Sequence, residues 1–533
     1  MSATSVKNVN PERDLPDPSR TAWRIACVAI LIVAGLLRLL YLTEKALHHD
    51  EGVNGLFMAS LFRRGFYHYD PSNYHGPTLY YFGLLTTTLN SFLYGKYGLS
   101  TFAVRLVPAL FGIGMVWLVF YFRRSIGMFG SLAGALLVAV SPGFVFFSRY
   151  FIHEILFVFF TLSLLVAVMR YRETARTLYL MLASVSAALL FATKETYVIT
   201  TAVLLLALLC AHLYMSFRTK LARNPAEGKS LARKKAIAPP KQSAKQGSPR
   251  RIHQWIAAGA LFAAIYVLFY SSFFTNFPKG VYDSVRTFGY WGHTGVTQYL
   301  SPWSTYVKWL SREELPAMVL GGLGIIVALY QARSRFAVFS AFWALGMTAA
   351  YSLLPYKTPW LALNPLLPIV IMAGYFLGQW FDLGSKEQSA LLRISAVFVL
   401  LVAVAASSYQ AIDLSFFSYD DDSIPYVYAH TRRDFLGLVD EIETVASHNP
   451  AGKNIGVTVM SPEHWPLPWY LREYPNCGYY GTIVPTSEPI VVALQSQSEQ
   501  IEKTAGTLYR RFHSYELRPG VLLVLYLRRD QRP

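Results

Sequence analysis

The stretch AWRIACVAILIVAGLLRLLYLT (22–43) is a long apolar run, and the polar quartet His48-His49-Asp50-Glu51 follows it after four residues. About twenty apolar residues in succession are what an α-helix needs to cross a bilayer. Asp and Glu are costly near lipid, so two carboxylates at the edge of a span require a reason. The simplest reason is a solvated loop that marks the end of the helix, and the alternative is a functional site.

Apolar runs of this kind recur along the chain. Hydrophobic residues make up 53% of the 533 residues and charged residues only 15%, whereas an average globular domain is about 25% charged. The runs that we interpret as transmembrane helices are 22–43, 103–122, 126–147, 155–171, 178–193, 197–215, 255–275, 315–331, 336–354, 361–381 and 392–411. The sequence therefore predicts an α-helical polytopic membrane protein with about eleven transmembrane helices.

The polar segments divide this chain into a small number of regions. We expect a disordered cytoplasmic tail (1–21), a transmembrane domain (22–412) and an extracytoplasmic α/β domain (413–533). Within the transmembrane domain, the first outer loop covers 44–102, and a basic cytoplasmic loop covers 216–254. The apolar but Thr-rich part of the first loop, 77–95, is predicted to lie along the outer membrane face.

The distribution of basic residues gives the orientation. Residues 216–254 contain eleven Lys and Arg and one acidic residue, so they account for +10 of the net charge of +17. A charge this concentrated argues against a nucleic-acid partner and is typical of a cytoplasmic loop. With the N-terminus inside, alternation of the eleven spans places each strong basic cluster on the cytoplasmic side and the region 413–533 outside.

The same alternation gathers unusual polar residues on the outer side. They are the His48–Glu51 quartet, the loop through His75, the turn Ser148–Glu154, the pair Lys194-Glu195 and the turn Tyr356–Trp360. A transporter would instead carry polar residues at the bilayer midplane, in broken helices of paired halves. The pattern predicts a site at the external membrane interface.

Region 413–533 is predicted to be a small soluble α/β domain. Helical periodicity covers 434–447, and β-branched runs at 455–460, 489–494 and 521–527 are typical of strands. The segment WPLPWYLREYP (465–475) places aromatic residues between prolines. It is either a binding edge or a hydrophobic cap on the domain.

The outer carboxylates are the first candidates for chemistry. Asp50 or Glu51, partly desolvated, could act as a general base on an acceptor hydroxyl or hold a cation. His48 and His49 could shape the pKa values of these carboxylates or hold an ion. A hard divalent cation on Asp50, Glu51 and Glu154 is a further option, whereas the histidine spacing does not match a zinc motif.

The outer cations are the candidates for binding phosphate. Arg149 has a guanidinium fork suited to phosphate, and protonated His75 or Lys357 could also face one. Each also has a structural interpretation: a turn histidine for His75, an ion pair with Glu154 for Arg149, a local pair with Glu195 for Lys194, and snorkelling for Lys357.

The order of these motifs resembles the GT-C superfamily of membrane glycosyltransferases, of the protein O-mannosyltransferase and aminoarabinose-transferase type. Within it, the sequence resembles the flippase-activity-associated membrane protein family over roughly residues 30–530. The stretches that carry the resemblance are HHDEGVNGLFM (48–58), YDPSNYHGPTLYYF (69–82), SRYFIHEILFVFF (148–160), ATKETYVIT (192–200), YKTPW (356–360) and WPLPWYLR (465–472).

The resemblance implies roles for individual residues. Asp50 corresponds to the aspartate proposed as the base in this superfamily, with Glu51 beside it, and Glu154 corresponds to the second acidic position. His75 stands where relatives often carry a basic residue, usually Lys, that faces the lipid phosphate. The remaining cations that would line the phosphate side are Arg149, Lys194 and Lys357, and the supporting residues are His48, His49, His153, Tyr74 and Glu195.

The function that the resemblance and the outer cluster together predict is an inverting transfer of a sugar. The donor would be a polyprenyl-phosphate sugar, the acceptor a protein, lipid or glycan, and the location the cytoplasmic membrane of a bacterium or archaeon. The alternative is a flippase, or an accessory to one, for lipid-linked sugars, which needs cations and an apolar groove but no base. A scaffold whose region 413–533 binds a partner is the third interpretation.

Overall fold

The computed structural model describes residues 17–73, 75–221, 249–294 and 301–531. The predicted tail 1–21 and the predicted basic loop 216–254 therefore lie largely outside the described residues. The helices are α1 (Asp17–Leu39), α2 (His49–Arg64), α3 (Thr78–Tyr94), α4 (Thr101–Val119), α5 (Met128–Val140), α6 (Pro142–Phe147), α7 (Glu154–Thr174), α8 (Thr177–Phe191), α9 (Tyr197–Leu221), α10 (Pro249–Tyr270), α11 (Lys279–Thr294), α12 (Thr305–Glu313), α13 (Leu315–Gln331), α14 (Arg335–Leu353), α15 (Leu363–Lys386), α16 (Ala390–Ile412), α17 (Phe435–His448) and α18 (Ser498–Ala505). Two shorter helical turns are Arg123–Ile126 and Leu467–Tyr470.

The helices of the predicted transmembrane domain are long because its sequence contains long apolar runs with few charged residues. Among the described residues, eight helices are long and apolar enough to cross a membrane, and a ninth span arises if α12 and α13, bent by 113° at their junction, count as one. Helices α5 and α8 are shorter apolar helices. Each of the eleven predicted apolar runs falls on a helix, except that 126–147 falls on two, α5 and α6. The predicted helical membrane fold class is therefore confirmed, with eight or nine helices of spanning length among the described residues.

Helix α15 is the centre of the helical bundle. Its glycines pack directly against the backbone of neighbouring helices: a Cβ at Gly374 would lie 2.6 Å from the carbonyl oxygen of Gly130 in α5. Likewise, a Cβ at Gly321 of α13 would lie 2.5 Å from the carbonyl oxygen of Ile369. Small residues at such crossings let apolar helices pack closely, which dispersion forces then stabilise.

The first loop contains two helices, as its sequence indicates. Helix α2 begins with a capping box, in which the His48 ring accepts from the Asp50 N–H and the Glu51 carboxylate accepts from the His48 N–H. It ends at Gly65, whose φ of 78° places it in the left-handed region. Helix α3 exposes a large apolar stripe, as a helix lying along a membrane face would; the stripe is formed by Leu85, Leu89, Phe92 and Leu93.

The C-terminal region forms a five-stranded sheet with helix α17 packed against it. The strands are β1 (Val457–Val459), β2 (Cys477–Tyr479), β3 (Ile490–Leu494), β4 (Tyr509–Arg518) and β5 (Val521–Arg528), in the order β2-β1-β3-β5-β4. The β2–β1 and β1–β3 pairs are parallel, and the β3–β5 and β4–β5 pairs are antiparallel. The predicted α/β character is correct, with one helix and three strands close to the expected positions.

Candidate functional site

Glu51 is the hub of a buried network at the start of α2. Its carboxylate, fully buried, accepts two hydrogen bonds of 2.8 Å from the Arg105 guanidinium. It also accepts from the N–H groups of His48 (3.0 Å) and Phe151 (2.9 Å). Burial would raise the pKa of Glu51, but the Arg105 charge and these hydrogen bonds outweigh burial and hold the pKa below its ordinary value.

Arg105 joins this network to the segment between α1 and α2. Its remaining N–H groups donate to the carbonyl oxygens of Leu42 (3.0 Å), Lys45 (2.9 Å) and Ala46 (3.2 Å). All five guanidinium donors therefore have acceptors. Arg105 was not among the site residues predicted from the sequence, although an arginine within an apolar helix, in TFAVRLVP, is a signal of a buried partner.

Asp50, the neighbour of Glu51, is in a different situation. Its carboxylate is half-buried and, within the part of the chain that the structure describes, takes part in no ion pair or hydrogen bond. One charge that interacts with Asp50 comes from the C-terminal domain: it is Arg518, which pairs with Glu463 at 2.8 Å. Burial lowers the pKa of Arg518, and Glu463 and Asp50 partly offset that effect. Asp50 is thus the open carboxylate of the two.

The two histidines before Asp50 face the C-terminal region. The Nδ1 atom of His48 accepts from the Asp50 N–H, so its Nε2–H donates to the carbonyl oxygen of Tyr428 at 3.0 Å. The His49 ring lies 5.8 Å from the Trp465 ring, centroid to centroid. Burial lowers the pKa of His49, against the opposing effect of Asp50.

A second polar junction joins the loop before α3 to the turn after α8. The Gly76 N–H donates to the Thr193 carbonyl (3.1 Å), and a Cβ at Gly76 would collide with the Ala192 carbonyl oxygen. His75 pairs with Glu195 at 3.2 Å, and the ring of His153 bonds the Gly76 carbonyl at 3.0 Å.

Lys194, at the same junction, forms a buried ion pair with Glu154. The two structural pairings considered from the sequence, Arg149 with Glu154 and Lys194 with Glu195, are both wrong. Glu154 pairs instead with Lys194, and Glu195 pairs with His75. Residues adjacent in sequence point to different partners here because they lie on a tight turn between helices.

Arg149 and Lys357 cap the ends of helices. Arg149 donates to the carbonyl oxygens of Leu37 (3.2 Å), Leu40 (2.7 Å) and Tyr41 (2.8 Å), beyond the last turn of α1. The ammonium of Lys357 donates to three carbonyls at the end of α14, those of Tyr351, Ser352 and Leu354, at 2.6–3.1 Å. Cations at these positions satisfy carbonyls that have no helical partner.

Two further buried groups near Glu51 were not singled out from the sequence. The Lys45 ammonium lies 3.0 Å from the centroid of the Tyr150 ring, and burial holds its pKa well below the ordinary value. The Tyr150 hydroxyl bonds His430 of the C-terminal region. Tyr74, a predicted supporting residue, lies outside the described residues.

The carboxylates do not form a metal site in the described parts of the chain. No group of three or more His, Cys, Asp or Glu side chains there is arranged to hold a metal ion. Glu51 and Glu154, two of the three carboxylates considered for a divalent cation, are already paired with Arg105 and Lys194.

Comparison with known proteins gives the family context. Residues 75–224 match the family model described as dolichyl-phosphate-mannose-protein mannosyltransferase. Comparison with curated proteins gave no match. The matched segment includes both sides of the second junction but not Asp50.

Solved structures match over nearly the whole chain. ArnT from Cupriavidus metallidurans in the apo state is 13% identical, with a TM-score of 0.64 over 95% of this chain and 98% of that one. The same protein bound to undecaprenyl phosphate is 14% identical, with a TM-score of 0.60 over the same shares. The Archaeoglobus fulgidus oligosaccharyltransferase is 15% identical, with a TM-score of 0.52 over 87% of this chain and 64% of that one. The narrower resemblance to the flippase-activity-associated family stays a prediction, whereas the broader one is confirmed as a likeness of fold: the chain has the fold of ArnT and of the Archaeoglobus fulgidus oligosaccharyltransferase.

Proposed function

We propose that this protein transfers a sugar from a polyprenyl-phosphate donor to an acceptor hydroxyl, with Asp50 as the general base. The observation that carries the proposal is the contrast between Asp50 and the other two candidate carboxylates. Glu51 and Glu154 are buried and committed to Arg105 and Lys194, whereas Asp50 is half-buried and lies between the bundle and the C-terminal domain.

The position of Asp50 suits a group that takes a proton from an acceptor hydroxyl. It occupies the first turn of α2, where the positive end of the helix dipole stabilises a carboxylate. The carboxylate would take the proton of the acceptor hydroxyl as the acceptor oxygen bonds to the anomeric carbon of the sugar. The bond from that carbon to the phosphate oxygen breaks at the same time, and the polyprenyl phosphate leaves with the electron pair.

Glu51, in this proposal, positions Asp50 and does not touch the substrate. Its bonds with Arg105 and with the N–H groups of His48 and Phe151 fix the first turn of α2. A base must lie within about 3 Å of the proton that it takes, so a rigid first turn favours the reaction.

The donor phosphate would lie near His75. The imidazole of His75 is 24% exposed, whereas Lys194 is buried against Glu154, and Arg149 and Lys357 are engaged with helix-end carbonyls. The three remaining cations would supply positive potential without direct contact.

An apolar cavity of about 330 Å³ beside α3 offers a place for part of the prenyl chain. Its lining comes from the end of α2, from α3 and from the end of α10, and includes Tyr81, Leu85, Phe269 and Phe273. The complex of ArnT with undecaprenyl phosphate supports a lipid donor of this class. The charge bias of the loops supports placing this end of the bundle, and the C-terminal domain, on the extracytoplasmic side.

The test is Asp50→Asn, assayed in vesicles that contain a lipid-linked sugar extracted from the source membrane. We expect transfer to fall about 100-fold or more, because the amide cannot accept the proton. Asp440→Asn, at an exposed position of α17, is the matched control. Transfer by Asp50→Asn at the rate of the control would overturn the proposed base.

The same vesicles separate the transferase from the flippase alternative. A transferase yields a glycosylated product in mass spectra that depends on Asp50. A flippase would instead move the lipid-linked sugar between leaflets equally well in Asp50→Asn and in the unaltered protein, with no product in either. This second outcome would replace the proposed function.

A further inference from the structure

A second cavity, of about 470 Å³, lies between α2 and the C-terminal domain. We call it the α2 groove; its lining residues are Leu56, Ala59, Ser60, Arg63 and Arg64 of α2, and His464, Trp465, Pro468, Leu471, Arg472, Tyr474, Cys477 and Tyr479 of the C-terminal domain. The volume falls within the range of pockets for small molecules, roughly 300–1,000 Å³. None of these lining residues has a role in the steps proposed above for Asp50.

The groove follows one face of α2. Gly52 lies on this face, where a Cβ would come within 2.7 Å of Pro466, and Leu56, Ser60 and Arg63 continue it at intervals of three or four residues. At its near end, Trp465 lies 5.8 Å from the His49 ring, centroid to centroid. An acceptor bound in the groove would therefore reach the ring of His49, the residue before the proposed base.

The far end of the groove is positively charged. Of its three arginines, Arg63 is neutralised by an ion pair with Glu473. Arg64 is exposed and, among the described residues, has no ion pair or hydrogen bond from its side chain. Arg472 donates to the carbonyls of Trp469 (2.6 Å) and Leu99 (2.9 Å), but its buried Nε has no hydrogen-bond partner within the described chain.

Aromatic and cationic groups occur together in the groove. The half-buried Trp465 offers a flat apolar surface of the kind on which the C–H face of a sugar ring packs. Guanidinium groups bind carboxylates and phosphates through paired hydrogen bonds. No Asp or Glu is among the lining residues. The combination suits a saccharide that carries a negative charge and disfavours a cationic ligand.

We propose that the α2 groove binds an anionic saccharide portion of the acceptor, with a sugar ring on Trp465 and a carboxylate or phosphate at Arg64 and Arg472. The inference rests on the proposed function, since it assigns the acceptor side of that reaction. It adds a substrate class, a glycan bearing acidic groups, to which neither the family model nor the structural comparison refers.

Binding can be tested without donor or turnover. Purified protein in detergent micelles would be mixed with uronic acid disaccharides and disaccharide phosphates, each paired with its neutral counterpart, and followed by saturation-transfer NMR. We expect the acidic members to bind about tenfold more tightly than the neutral ones. Equal binding, or no binding, of every acidic and neutral pair would overturn the inference.

Variants locate the binding. Trp465→Ala and Arg64→Ala should each weaken binding of the acidic members about tenfold, whereas Arg511→Ala, on β4 and outside the groove lining, should leave it unchanged. A thermal unfolding profile like that of the unaltered protein would show that Arg64→Ala, at an exposed position, is folded. Unchanged binding in both groove variants would overturn the assignment of the site.

The two proposals fail in different ways. Asp50→Asn should retain saccharide binding and lose transfer. If transfer depends on Asp50 but no acidic saccharide binds, the groove inference fails and the reaction stands. If acidic saccharides bind at Trp465 and Arg64 but transfer is independent of Asp50, the proposed base fails and the binding site stands.

Discussion

The two polar junctions at this end of the bundle use their charges differently. At the first, around α2, Glu51 is buried with Arg105 while Asp50 stays open toward the C-terminal domain. At the second, the acids pair one for one with cationic or imidazole groups, as Lys194 with Glu154 and His75 with Glu195. Both contact the turn between α6 and α7, so they are parts of one assembly.

The comparison distinguishes charges that stabilise the fold from charges that can react with a substrate, although the two kinds look alike in sequence. A buried pair whose hydrogen bonds are satisfied fixes a loop, and breaking it is costly because the remaining charge has no partner. An acid that is near charges but bonded to none can exchange protons with a substrate. Substitutions at the two junctions, and one at an exposed ion pair elsewhere, should therefore differ in effect, from the largest to the smallest.

Arg105→Met should have the largest effect. It leaves Glu51 buried without its cation and removes three hydrogen bonds to the segment before α2. We expect a loss of about 5 kcal/mol in the free energy of unfolding, measured by denaturant titration in micelles. Glu51→Gln/Arg105→Met should recover part of it, and no recovery would argue that the pair does not act as a unit.

Lys194→Met should lower the free energy of unfolding by about 3 kcal/mol, because Glu154 is then buried without its cation. Glu154→Gln/Lys194→Met should be closer in stability to the unaltered protein and retain most of the transfer activity. A stable double variant without activity would break the comparison, because Glu154 would then act as the second catalytic acid that the resemblance implies.

Gly55→Val should act at the first junction through shape alone. A Cβ at Gly55 would lie 2.5 Å from the Trp469 ring, so a larger side chain pushes the C-terminal segment away from α2. We expect the free energy of unfolding to fall by about 2 kcal/mol. We also expect faster cleavage within residues 465–475 in limited proteolysis. Gly35→Val in α1, where a Cβ meets nothing within 4 Å, is the control.

Arg124→Met should have the smallest effect. Its ion pair with Glu173 is partly exposed, with the two side chains 29% and 28% accessible. Because solvent screens such a pair, we expect the free energy of unfolding to change by less than about 1 kcal/mol. A loss as large as that of Arg105→Met would show that burial does not decide the contribution of these pairs.

Local patterns predicted the helices because apolar length and periodicity are properties of short segments. The eleven apolar runs and the helix at 434–447 correspond to helices of the structure. Strand β4 was missed because Arg510 and Arg511 interrupt its alternation, and β2 because its residues, Cys477–Tyr479, include no β-branched side chain. Neither failure concerns the membrane domain.

The site was predictable in location but not in its pairings. The distribution of basic residues predicted that one end of the bundle carries the quartet, His75, Arg149, Glu154 and Lys194. The structure places these residues in neighbouring loops. Which acid takes which cation depends on contacts 40 to 120 residues apart. The partner of Glu51 is such a case, since Arg105 resembles an ordinary residue at the start of a span.

The cap of α2 has a consequence for biosynthesis. Three hydrogen bonds join its first residues to the distant end of the chain, from His48 to the Tyr428 carbonyl, from Thr431 to the Leu47 carbonyl and from Leu47 to the Tyr470 hydroxyl. The ribosome makes these partners about 400 residues later. The first turn of α2, which carries Asp50, therefore completes these hydrogen bonds only after every span has been translated. A nascent or truncated chain lacks a finished site.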